Sequence, residues 1–232
     1  MTGIHWRGHL FQFEKHPAPA YSPAHGLRLL VIFVALELLI GPRLWLFSTL
    51  RLPVPPVWLR IPIMLALTVL LVRFAAGLKL ADIGFIPWRA WTETEKSYFI
   101  QVLVIANVIF ATISFGRLRA IFAGPSLLSH VCTVFVPYLL WGFHQELMYR
   151  GILQTELVRR WGPLAGILAG NSLFTFGPLH FYNFSRHDPV AALFAGIFAI
   201  GLFFAVLFWR SGNLWIVAIL HGIGDLYIEG AK

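Results

Sequence analysis

The chain has 232 residues, 58% of them hydrophobic and only 12% charged, with a mean hydropathy of +0.75. A soluble domain carries about 25% charged residues, so the composition excludes an ordinary water-soluble fold and points to lipid as solvent. The net charge of +8 comes from Lys and Arg scattered between apolar runs, which fits loops flanking membrane spans rather than a nucleic-acid-binding face.

Residues 1–26 are aromatic, His-containing and Pro-rich, lack a compact apolar signal-peptide core, and read as an interfacial tail. A span needs about 20 mostly apolar residues. Residues 27–79 hold two, expected at 27–47 and 57–76; for Glu37 in the first, Arg43 or another cation is the candidate partner. The remainder, 80–232, reads as the functional core. It opens with 80–89, a mixed apolar and cationic segment expected to lie on the membrane with Trp88 and Trp91 at headgroup level. A third span is expected at 97–115, closed by Arg117 and Arg119. A fourth, 127–149, contains Cys132, which excludes an intrachain disulfide and reads as a buried packing thiol. An amphipathic continuation follows over 151–161, with Glu156, Arg159 and Arg160 on its polar side, until Gly162-Pro163 breaks it. A fifth span, 164–179, ends at His180; a polar loop covers 182–188; a sixth span, 190–209, turns at 210–213 into the last, 214–228.

The expected class is therefore all-α, a polytopic membrane bundle of about seven transmembrane helices with every backbone group satisfied inside a helix. With the N-terminus inside, cytoplasmic segments collect more cations, chiefly Arg73, Lys79, Arg89, Lys96, Arg159 and Arg160.

Ionisable groups in lipid-bound helices are costly and are by default functional. Glu146 and Arg150 are four residues apart and share a helix face; the alternative is an ion pair that only fixes helix register. His221 and Asp225 repeat that spacing on the last span, and Gly222 and Gly224 leave room for a neighbour. Pro178 should end or kink the helix before His180, with Asn171 and Tyr182 as candidate partners for the imidazole. His144, His187 and Asp188 read as interface residues. Peptide hydrolysis needs a base for water, donors for the oxyanion and a shielded cavity, and a carboxylate with two imidazoles supplies the first two. The same side chains could bind a metal, but no His-Glu-x-x-His pair is present, so no metal or other cofactor is assigned.

Three segments in order, Gln145-Glu146-Leu147-Met148-Tyr149-Arg150, Phe176-Gly177-Pro178-Leu179-His180 and His221-Gly222-Ile223-Gly224-Asp225, resemble the pattern of the CPBP family of glutamic intramembrane endopeptidases. That pattern is Glu-Glu-x-x-x-Arg, Phe-x-x-x-His, then His-x-x-x-Asn or Asp, and the resemblance covers roughly 80–228. It implies cleavage near the C-terminus of a membrane-associated protein, of CAAX type or in bacterial sorting and maturation; the short loops and compact core suggest a multi-pass enzyme of the bacterial inner membrane. It implies that the 145 position and His180 activate water, that His221 and Asp225 form the oxyanion site, and that Glu146 and Arg150 are a supporting pair. Gln145 departs from the family's glutamate, and a neutral amide is no general base. Either Glu146 has taken over the role, or Gln145 replaces a catalytic glutamate by substitution, or the chain is a non-catalytic peptide-binding or immunity protein of the same fold. A metal-dependent membrane hydrolase is the further alternative.

Overall fold

The computed structural model describes residues 21–39, 50, 51, 53, 55–124, 126–178, 180, 181, 185 and 189–228. Among these residues the fold is entirely helical. In chain order the helices are α1 (Pro23–Leu39), α2 (Val57–Leu70, prolonged by the π-helical turn Leu71–Ala75), α3 (Glu93–Ile113) and α4 (Phe115–Ala123). A single turn, Leu127–His130, and a π-helical turn, Val131–Phe135, lead into α5 (Val136–Glu146). The π-helix Leu147–Gln154 follows, then α6 (Thr155–Phe176), α7 (Val190–Ser211) and α8 (Leu214–Ile228). Among the described residues, four helical stretches are long and apolar enough to cross a bilayer: Val57–Ala75, Glu93–Ile113, Leu127–Phe176 and Val190–Ser211. On α3, Ile100, Val104, Ile105, Val108, Ile109 and Ile113 are exposed, an apolar face suited to lipid. The protein is an integral, multi-pass membrane protein.

The 50-residue stretch is a hairpin. Gly162 (φ 77°, ψ 172°) breaks the helical path where Gly162-Pro163 marks the sequence, and the chain folds back on itself. Gly166 and Gly170 line the seam: a methyl group on Gly166 would lie 2.6 Å from Val158 Cα, and one on Gly170 would touch Gln154. Small residues at this spacing let two backbones approach in lipid, where packing replaces the hydrophobic drive.

Local chemistry fixes the ends. Thr92 and Glu95 form a capping box at the start of α3, with Glu95 N–H donating to Thr92 Oγ1 at 3.2 Å and Thr92 N–H to Glu95 Oε2 at 2.8 Å. Each satisfies a helix-start donor that lipid cannot. Gly212 takes the left-handed conformation that ends α7. Asn213 caps α8, its Oδ1 accepting from Trp215 N–H at 3.2 Å. The orphan Leu214 N–H donates to Gly84 O at 2.8 Å. That bond, with Phe85 against Phe143 and Trp215, ties the 80–86 segment to the core helices.

Several expectations need correction. The first helix is Pro23–Leu39, starting before residue 27, and 40–49 lie outside the described residues. Trp91 is buried, its Nε1–H donating to Ile86 O, because the turns at Leu80–Ile83 and Trp88–Ala90 fold it inward; Trp88 stays exposed. Arg117 and Arg119 belong to a short helix of their own, α4. Cys132 is exposed rather than buried, since its face of the helix meets no neighbour. His144 is buried, with Nε2 3.1 Å from Thr68 Oγ1, and is not an interface residue. Glu156 is fully buried and paired with both Arg159 and Arg160; Tyr21 donates to it at 3.1 Å. Burial, then the neighbouring Glu156 charge, push the Tyr21 phenol above its ordinary value, which keeps it a donor. His187, Asp188 and Tyr182 lie outside the described residues.

Candidate active site

The site is made where α5 crosses α8. Gly142 and Gly222 meet there in backbone contact: a methyl group on Gly142 would stand 2.7 Å from Gly222 Cα, and one on Gly222 would collide with the Leu139 carbonyl. Gly222 thus has the role its spacing predicted. At Gly224 a methyl group would reach only the Phe110 ring, at 4.0 Å. The close crossing sets Gln145 and Glu146, one turn beyond Gly142, against His221 and Asp225.

Glu146 is fully buried. Its Oε2 lies 3.3 Å from Arg150 Nε, the expected i,i+4 pair, and its Oε1 lies 2.7 Å from His221 Nδ1. A carboxylate only accepts, so Nδ1 carries the proton and Nε2 is left for chemistry. His221 Nε2 is 3.7 Å from Asp225 Oδ1, and Asp225 Oδ2 accepts from Gln145 Nε2–H at 3.0 Å. Arg150, Glu146, His221, Asp225 and Gln145 therefore form one polar cluster between the two helices, with a 3.7 Å gap between His221 and Asp225. Among the described residues no three His, Cys, Asp or Glu side chains converge as metal ligands would; Glu146 and His221 face each other instead.

His180 approaches from the end of α6. Gly177 ends that helix with an extended conformation, and the following turn brings His180 Nδ1 to 2.6 Å from Phe174 O. The ring is buried, edge-on to Phe174 at 4.5 Å between centroids. Asn171 is not its partner: Asn171 Nδ2–H donates to Phe198 O at 3.0 Å.

Phe174 was not legible as a site residue. It lies under the site, with the Arg150 guanidinium 4.4 Å from its centroid and His221 at 6.0 Å. Phe176, the motif phenylalanine, is exposed and stacks on Phe194 and Phe198; two residues along a helix put it on the far side. Phe204 stacks on His221 at 5.4 Å. Arg150 Nη2–H donates to Gly201 O at 2.9 Å and Gln154 Nε2–H to Ala205 O at 2.8 Å. With Asn171 on Phe198, three side-chain donors grip one face of α7. The π-helical turns carrying Arg150 and Gln154, a distortion frequent at functional sites, admit Thr155 Oγ1–H to Arg150 O at 3.1 Å.

Fold and site together define a polytopic helical membrane protein with a buried carboxylate–imidazole centre. The sequence bears this out at family level: residues 126–227 match the family described as type II CAAX prenyl endopeptidase Rce1-like. That match supports a membrane endopeptidase function in general terms. The match spans all three motifs but begins at 126, not at 80. No curated protein and no solved structure matches the chain.

Proposed function

We propose that the protein is an intramembrane endopeptidase that hydrolyses a peptide bond near the C-terminus of a membrane-associated protein, of CAAX type or in bacterial sorting and maturation. The observation that carries this reading is the cluster of Arg150, Glu146, His221, Asp225 and Gln145 set among apolar helices. A purely structural pair needs only two such groups; this centre adds an oriented imidazole and a second carboxylate, and His180 packs edge-on to Phe174, the ring that underlies it. Water is activated by the carboxylate–imidazole cluster, while Glu146 and Arg150 hold His221 in one tautomer. Residues 80–232 act as the catalytic core, 27–79 as N-terminal transmembrane helices and 1–26 as an interfacial tail. The close tie between Gly84 and Leu214 supports starting the core at 80. The compact helices and short connections fit a bacterial inner-membrane enzyme.

The test is cleavage of a farnesylated peptide ending in Cys-a-a-X by the purified chain in liposomes, read by mass spectrometry of the released tripeptide. His180→Ala is expected to lower the rate at least 100-fold with the fold retained. Full activity in that variant would sink the reading. Binding of the peptide with no cleavage by any variant would favour the non-catalytic alternative that Gln145 motivates.

A further inference from the structure

We propose that Asp225 is the carboxylate that takes the proton from the attacking water, with Gln145 as its amide partner. The proposal rests on the endopeptidase reading. The site holds two carboxylates in unequal settings. Glu146 is fully buried, with His221 Nδ1 on one oxygen and Arg150 on the other. Protonating it would strip Arg150 of its counter-charge inside the bilayer, the costly way to break a buried pair. The Asp225 side chain is 19% exposed against 0% for Glu146, so it is the one a substrate and water can reach.

The geometry around Asp225 suits the task. Its Oδ1 and His221 Nε2 are 3.7 Å apart, too far for a direct hydrogen bond and right for one water oxygen about 2.8 Å from each. In the neutral imidazole, with its proton held on Nδ1 by Glu146, both flanking atoms are acceptors. A water there gives one hydrogen to each and turns its lone pairs outward. Gln145 Nε2–H fixes the other Asp225 oxygen at 3.0 Å. Gln145 Oε1 is buried and accepts no hydrogen bond among the described residues, leaving it to accept the N–H of a bound peptide. The amide at 145 also has an electrostatic reason. A glutamate there would set two carboxylates about 3 Å apart, and such pairs share a proton; glutamine lets Asp225 ionise. Gln145 is thus the partner of a working base at 225.

In the step itself, the water oxygen bonds to the peptide carbonyl carbon as one O–H bond breaks and its proton passes to Asp225. The carbonyl π pair moves onto oxygen. When that pair returns, the C–N bond breaks and the nitrogen takes the proton from Asp225. The products are a carboxylic acid and an amine, and Asp225 is again a carboxylate.

The test uses the full-length protein in liposomes and the farnesylated peptide above, with thermal melting as the fold check. Asp225→Asn is expected to lower kcat at least 100-fold. The exchange Gln145→Glu with Asp225→Asn, which keeps one amide and one carboxylate in contact, is expected to recover at least a tenth of the original rate. An Asp225→Asn protein that keeps a third of that rate would overturn the assignment. So would a folded double variant as slow as the single one, and the double variant carries the test alone if Asp225→Asn does not fold. No release by the unaltered chain is a different failure, that of the endopeptidase reading itself.

Discussion

Glu146 and Asp225 show how the same chemical group takes different duties from its surroundings. The first is sealed between an arginine and an imidazole, the second is partly open beside an amide. Glu146→Gln should therefore act mainly on stability, leaving Arg150 buried without a counter-charge at a cost of about 3–5 kcal/mol. Expected is a large drop in melting temperature together with lost activity; a variant that melts normally would contradict the supporting role. The ionisable residues of the site were legible because lipid tolerates few such groups without purpose. Phe174 was not, because among 21 phenylalanines nothing in the sequence distinguishes the one under the arginine. Only the helix end at Gly177 and the turn to His180 reveal it. The partner of Glu37 was likewise hidden: it interacts with Tyr149, a contact between helices far apart in sequence.

At the level of elements, the crossing of α5 and α8 sets the geometry of the centre. Gly222→Ala must push Leu139 and its helix away, an overpacking cost of about 1–3 kcal/mol, and should separate Glu146 from His221. Melting temperature and peptide cleavage should both fall. Gly196 on α7 has nothing within 4 Å of an added methyl group, so Gly196→Ala should be neutral or slightly stabilising, since alanine is favoured over glycine in helices. Equal losses in the two variants would refute the crossing argument. Helix positions were largely legible from runs of apolar residues and from Gly162-Pro163. The burial of Glu156 and His144 was not: periodicity gives a helix its faces but does not say which neighbour covers them.

Across the whole molecule the cations divide between its ends. Contacts from Tyr21 to Glu156, Gly77 to His25 and Arg28, and Leu214 to Gly84 place one end of α1, α2, α7 and α8 together with the hairpin tip. Arg73, Lys79, Arg89, Lys96, Arg159, Arg160 and Arg210 belong to that end, whereas Arg60, Arg117 and Arg119 sit on the opposite side. By the positive-inside rule the first end is expected to face the cytoplasm. In a Cys132→Ser background, Lys79→Cys should react with a membrane-impermeant maleimide only in inside-out vesicles; labelling of intact cells would reverse the orientation. This division was visible in the sequence only through a correct count of spans, and the reversal at Gly162 is what makes that count come out.

The grip of Arg150, Gln154 and Asn171 on α7 bears on how the protein is made. Their acceptors, Gly201, Ala205 and Phe198, leave the ribosome 51, 51 and 27 residues later. Until then the hairpin stands in the bilayer with an arginine, a glutamine and an asparagine unsatisfied by their final partners. Lesions in α7 should therefore reduce the amount of protein in the membrane before they reduce the activity of each molecule.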